Sequence, residues 1–166
     1  MIFRRASVDD AEAISSLICS FQPSLTLDPS GRGAEEFLAS VSADAERSYI
    51  CSDRFHYLIA EVDGSLAGFI AVRDRTHLFH LFVEAKFQRQ GLAGELWSRA
   101  HAAACQTGPA RAFTVNATPQ AAPVYQRFGF EQCSPLVETH GIAFIPMRLR
   151  KGSRPPNNSL ERGRER

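Results

Sequence analysis

Asp63-Gly64 restricts this chain more than any other short segment, because it separates two strand-forming runs, Phe55 to Val62 and Ser65 to Val72. Both central residues of a type I′ turn need positive φ, which Asp tolerates and Gly adopts freely, so the pair predicts a tight antiparallel hairpin. A third apolar and aromatic run, His77 to Val83, predicts a neighbouring strand. With 166 residues, 44% of them apolar and 22% charged, the chain is long enough to bury one full core. One domain over residues 1–151 is therefore expected. The segment 152–166 has almost nothing apolar to bury and is expected to be a disordered tail.

Helical signals surround these strands. Ser7 with an acid three residues on, Asp10, predicts a capped helix start, and Ile14, Leu17, Ile18 and Phe21 recur at helical spacing. Prolines and glycines make Phe21 to Gly33 a loop, and Ala34 to Val41 reads as a second helix. Leu92, Leu96, Trp97, Ala100 and Ala104 predict a longer helix directly after Gly91. Arg111 to Asn116 reads as a strand, and Thr118-Pro119 opens a helix that carries Val124, Tyr125 and Phe128 and stops at Gly129. Glu131 to Val137 and Ile142 to Leu149 form a closing hairpin around His140-Gly141, with Pro146 marking an edge or a bulge. The fold class that results is α+β, with a mixed, mostly antiparallel sheet of about seven strands and flanking helices.

Charge and composition narrow the function. A formal net charge of +1 gives no global field toward nucleic acid or a membrane surface, so neither is expected as a partner. Asp9, Asp10 and Glu12 interrupt what would be the apolar stretch of a signal peptide, and no apolar run approaches a membrane span. Cys19, Cys51, Cys105 and Cys133 form no pair or His-flanked cluster of the kind zinc requires, so no metal is expected. A reduced, cytoplasmic protein is the reading.

The chemistry concentrates at Gln88-Arg89-Gln90-Gly91-Leu92-Ala93. A glycine turn that leaves a strand and opens a helix gathers unpaired N–H groups beside the positive end of the helix dipole, which is a phosphate site. Gly91 lets the backbone approach an anion, Ala93 keeps the first turn slim and Arg89 adds a charge. A Walker A loop would need Gly-Lys-Ser/Thr, and Gly91-Leu92-Ala93-Gly94 lacks the glycine register of a dinucleotide fingerprint.

Leu81-Phe82-Val83 followed by Gln88 to Ala93 resembles motif A of the GNAT superfamily of N-acetyltransferases, written Gln/Arg-x-x-Gly-x-Gly/Ala. Val115-Asn116-Ala117 and then Pro123-Val124-Tyr125-Gln126-Arg127-Phe128-Gly129-Phe130 resemble its motif B, in the right order and separation. The resemblance runs from about the first strand to Arg150. It implies a sheet splayed between the fourth and fifth strands, with acetyl-CoA as cosubstrate in the gap. The pantetheine arm would pair with backbone at Phe82 and Val83, the diphosphate would sit on Gln88 to Ala93, and Asn116 would touch the arm. A primary amine of a small molecule or of a protein would be the acceptor. Paired subunits are common in the family, which makes a homodimer compatible with it.

Transfer from a thioester to an amine needs a neutral amine, a stabilised oxyanion and protonation of the departing thiolate. Tyr125 matches the family's thiol-facing acid, and the backbone N–H of Phe82 or a near neighbour matches its oxyanion donor. His77 takes the place where some members carry a glutamate base. A histidine near ~6.5 suits an α-amino group near ~7.8 better than a lysine near ~10.4. His80 is the other candidate, and strict alternation sends it to the opposite sheet face from His77. Glu138 and His140 are expected to border the acceptor site. Two further readings share the cofactor loop: a different acyl-CoA donor, and a non-catalytic acyl-CoA-binding module. Tyr125 speaks against the second, since a binder has no use for a thiol-facing acid.

Overall fold

The computed structural model describes residues 1–108, 112–150 and 152–155. Arg111, the expected start of a strand, and most of the expected tail, 156–166, lie outside them. Among the described residues eight strands, β1 (Ile2–Arg5), β2 (Phe55–Val62), β3 (Ser65–Arg73), β4 (His77–Val83), β5 (Thr114–Ala117), β6 (Phe130–Gln132), β7 (Val137–Thr139) and β8 (Ile142–Leu149), form the sheet in the order β1-β2-β3-β4-β5-β8-β6, with β7 also paired to β8. The expected hairpin is β2 (Phe55–Val62) and β3 (Ser65–Arg73), turning through Asp63 at φ 50° and Gly64 at φ 76°. β1 (Ile2–Arg5) flanks β2, and β4 (His77–Val83) flanks β3, all antiparallel. β5 (Thr114–Ala117) then pairs parallel with β4 and antiparallel with β8 (Ile142–Leu149).

The run from Glu131 to Val137 is not one strand. It divides into β6 (Phe130–Gln132) and β7 (Val137–Thr139), both antiparallel to β8. Pro146, expected at an edge or a bulge, instead sits inside β8 opposite Asn116. Its carbonyl accepts from Cys133 N at 3.0 Å, and a strand residue's N and O point the same way. The missing N–H therefore faces the break between β6 and β7, where no ladder bond is lost.

Helices cover both faces. α5 (Leu92–Gln106) packs on one with Leu96 and Trp97 fully buried, beside α6 (Ala122–Arg127). α6 begins later than Thr118-Pro119 predicts, because Thr118 Oγ1 accepts from Ala121 N in a preceding turn. On the other face lie α1 (Ala11–Ser20) and α4 (Ala43–Cys51), around Ile14, Ile18, Tyr57 and Phe69. Each large apolar side chain so buried contributes about 1.5–3 kcal/mol.

Two short helices complete this layer: α2 (Gln22–Leu25), inside the segment expected to be all loop, and α3 (Glu35–Ser40), where a second helix is predicted. Pro23 is tolerated in α2 because the first turn has no N–H to lose. Leu27 N donates to Gly141 O at 2.8 Å, so the loop after α2 docks on the turn between β7 and β8. A side chain at Gly141 would run into the backbone of Gly33 and Ala34.

Candidate active site

β4 and β5 pair only at His77 with Thr114 and at Leu78 with Val115. Beyond that pair the strands part, and two cavities occupy the opening. The larger, about 610 Å³, runs along the loop before α5, the end of β4 and one side of α6. The smaller, about 300 Å³, lies on the α1 face of the sheet and is walled by β4, β5, β8 and the α1 to α3 region. Both are bordered by Leu81, Phe82 and Tyr125, so they meet at the end of β4.

The loop before α5 is bent by two left-handed residues, Arg89 at φ 60° and Gly91 at φ 83°. Gly91 is the N-cap of α5 with no side chain over it, which leaves the first-turn N–H groups directed at the larger cavity. Gln88, Arg89, Gly91, Leu92 and Ala93 all line that cavity. Gln90 does not; its side chain folds back to donate to Lys86 O at 2.9 Å. Gln88 Nε2 donates to Val83 O at 3.0 Å. Arg127 adds a second cation to the wall, a residue with no signal of its own in the sequence beyond its place two residues after Tyr125.

Backbone polarity along β4 refines the expectation for Phe82. Glu84 N donates to Ala67 O at 2.9 Å, and Phe82 pairs with Phe69 in the same register. Alternation then turns the N–H and C=O of Phe82 toward β3 and those of Leu81 and Val83 toward the opening. Phe82 lines both cavities with its side chain, but its amide is committed to the sheet. The groups free to meet a ligand belong to its neighbours.

A bulge changes the placement of the histidines. Ala71 pairs with His80 and Val72 with Leu78, so Phe79 is an extra residue that resets alternation. His77 and His80 consequently line the same smaller cavity, and the expectation of opposite faces fails for this reason. His77 Nδ1 lies 2.9 Å from Thr114 Oγ1 at the closed end of the splay. Burial, with help from Arg73, holds its pKa below the usual imidazole range.

His80 is buried, and its Nε2 lies 3.0 Å from Oε1 of Glu46, which is fully buried in α4. The other oxygen of Glu46 accepts from Tyr57 OH at 2.7 Å. The sequence carries no signal for this triplet, because its members come from α4, β2 and β4 and meet only in the fold. Asn116 lines the smaller cavity rather than the larger one. Glu138 and His140 border neither; His140 instead faces Glu36 at 3.6 Å, and Ile142, Ala143 and Phe144 supply that wall.

Tyr125 is buried in α6 at the junction of the two cavities. Burial pushes its hydroxyl well above the ordinary tyrosine range, so it stays protonated and serves as a donor. The arrangement suits a long ligand with an anionic head on the α5 loop and a reactive end at Tyr125, met there by a second molecule from the smaller cavity. Among the described residues no group of His, Cys, Asp and Glu could hold a metal ion, and no helix is long and apolar enough to cross a membrane.

The comparisons agree with this geometry. A GCN5-related N-acetyltransferase from Rhodopseudomonas palustris superposes with a TM-score of 0.73 at 21% identity, over 89% of this chain and 94% of that one. The PaiA N-acetyltransferase from Thermoplasma acidophilum, in complex with coenzyme A, gives 0.67 at 18% identity, over 89% and 97%. The aminoglycoside 6'-N-acetyltransferase from Enterococcus faecium gives 0.65 at 13% identity, over 89% and 96%. No curated protein sequence matches the chain. The acetyltransferase (GNAT) domain family matches residues 25–151, and the chain belongs to that family.

Proposed function

We propose that the protein moves an acetyl group from acetyl-CoA to a primary amine by direct attack on the thioester. The observation that carries this reading is the meeting of two cavities at Leu81, Phe82 and Tyr125, one headed by an uncapped helix N-terminus and the other open to a second substrate. The diphosphate sits on the N–H groups of the α5 first turn, assisted by Arg89 and Arg127. The pantetheine arm runs beside β4 and takes the outward-facing backbone groups of Leu81 and Val83, for which Gln88 must release the Val83 carbonyl. An N–H at one of these two residues receives the oxyanion as it forms. Tyr125 stands at the departing sulfur.

The acceptor enters the smaller cavity. Its wall combines Phe37, Phe79, Phe82 and Phe144 with Arg73, and among the described residues none of those lining it is acidic. A polycation such as an aminoglycoside would find no carboxylate there to pair with, which favours an amine with an apolar body. The test is mass-spectrometric profiling of a panel of aromatic, aliphatic and peptide amines with acetyl-, propionyl- and succinyl-CoA. Acetylation of apolar amines ahead of aminoglycosides is the expected result. Binding of acetyl-CoA with transfer to none of them leaves a non-catalytic acyl-CoA module.

A further inference from the structure

Glu46 is an unusual residue to find at zero exposure, because a carboxylate removed from water is costly unless it is both hydrogen-bonded and given a charge partner. Tyr57 OH occupies one oxygen and the His80 ring the other, at 2.7 and 3.0 Å. A carboxylate that already accepts from a hydroxyl presents its second oxygen as an acceptor too. The ring nitrogen facing it, Nε2, then carries the hydrogen, and Nδ1 keeps its lone pair. Among the described residues, Trp97 Nε1 is the only buried side-chain polar atom without a partner. Among the described residues Nδ1 of His80 has no hydrogen-bond partner, and the open space that His80 lines is the smaller cavity.

Resting on the transferase reading above, we infer that His80 is the general base of the reaction, with Glu46 and Tyr57 as its positioning residues. His80 adjoins Leu81, where the cavities meet, whereas His77 is four positions away, roughly 13 Å along an extended strand. His77 also has its Nδ1 engaged by Thr114. The amine nitrogen attacks the thioester carbon, and one of its N–H protons passes to His80 Nδ1 as the C–N bond forms. The imidazolium so created keeps its Nε2–H on Glu46, whose negative charge stabilises it. Collapse of the tetrahedral adduct breaks the C–S bond, the thiolate, held by a hydrogen bond from the Tyr125 hydroxyl, takes a proton from solvent, and His80 releases its own proton to solvent. Of the charged and titratable groups, Glu46 of α4 and Tyr57 of β2 meet the ring, Arg73 of β3, His77 of β4 and Tyr125 of α6 share its cavity, and Tyr49 of α4 acts on Glu46.

The experiment compares wild type with His80→Gln, Glu46→Gln, Tyr57→Phe and His77→Gln, using acetyl-CoA and 2-phenylethylamine and following thiol release from pH 5.5 to 9. Melting curves and calorimetric acetyl-CoA binding accompany the kinetics. His80→Gln lowers kcat/KM by about 10²-fold with acetyl-CoA binding intact. Glu46→Gln and Tyr57→Phe lower it by about 10-fold, and Glu46→Gln moves the acidic limb of the profile to lower pH, since the imidazolium loses its counter-charge. A merely structural Glu46 would change the melting temperature and leave that limb in place. An acidic limb that moves with His77→Gln and not with Glu46→Gln overturns the assignment to His80.

Nitrogen-15 spectra of histidine-labelled wild type give a reading independent of turnover and of the variants' stability: His80 carries its hydrogen on Nε2, and a ring protonated on Nδ1 overturns the proposal. Turnover by His80→Gln within threefold of wild type overturns the base while leaving the transferase reading standing. Wild type that binds acetyl-CoA yet acetylates neither this probe nor any panel amine overturns both.

Discussion

For Tyr125, proposed to face the departing thiol, burial fixes the protonation state. A CoA thiol resembling cysteine has a pKa near ~8.5 and an unperturbed tyrosine near ~10, so proton transfer to the thiolate is already uphill by about 2 kcal/mol in water. Burial raises the Tyr125 hydroxyl further, which makes it a hydrogen-bond donor that strengthens as charge grows on sulfur. Tyr125→Phe is expected to lower kcat by about 10²-fold with acetyl-CoA affinity preserved, read by steady-state kinetics beside calorimetry. A fall of less than about threefold removes Tyr125 from the mechanism. Gly91 is the complementary case, because its φ of 83° favours glycine and a side chain at the head of α5 would stand in the proposed diphosphate site. Gly91→Val is expected to raise the KM for acetyl-CoA at least 10-fold while the protein remains folded, and an unchanged KM would reduce the loop to a turn.

The proposed site centres on β4, and two features shape that strand. The bulge at Phe79 swings His80 onto the cavity wall, and Gly68 on β3 lets the neighbouring backbone approach closely. A Cβ at Gly68 would stand 2.8 Å from Phe82 O and 3.2 Å from Val83 Cα. Backbone cannot step aside as a side-chain tip can, so Gly68→Ala is expected to cost about 1–3 kcal/mol. That corresponds to roughly 2–12 °C in a domain of this size. Because Val83 also lines the larger cavity, weaker acetyl-CoA binding is expected to accompany the loss. A melting temperature and a Kd both equal to wild type would show that β3 and β4 are less closely set than described.

At the scale of the whole molecule, ligand and proton linkage give the checks. Acetyl-CoA at 100 times its Kd should stabilise the fold by about 2.7 kcal/mol, or roughly 5–11 °C, and CoA should act likewise. No shift at saturation in a folded sample would end the cofactor assignment. Acid sensitivity follows from His56, His77 and His101, whose pKa values are all held down mainly by burial. Below the ordinary histidine value near ~6.5 the unfolded chain binds protons that the fold resists, so the stability present above that pH is lost as pH falls. Asp10 is depressed by its bond to Arg4 and loses its contribution only below the carboxylate range near ~3.9. The melting temperature is therefore expected to drop between pH 7.5 and 5.5, and His77→Gln to flatten that drop. A flat profile in wild type would contradict the burial of these rings.

Local rules were sufficient wherever the chain obeys its own neighbours. The β2–β3 turn at Asp63-Gly64, the span of β4, and the glycine start of α5 are all set by residues within a few positions, through φ preference and apolar period. The family was legible for the same reason, from the contiguous motifs of the α5 loop and of the segment around Tyr125. α4 was not, because its one fully buried side chain is the charged Glu46, which inverts the pattern that marks an inward helix face. The shared face of His77 and His80 depends on a single bulged residue that leaves no trace in composition. The commitment of the Phe82 amide to β3, and the meeting of Glu46, Tyr57 and His80, depend on register and on packing between elements distant in sequence. Short-range geometry thus determined where the glycine loop and its helix start lie, and only long-range packing decided which side chains face them.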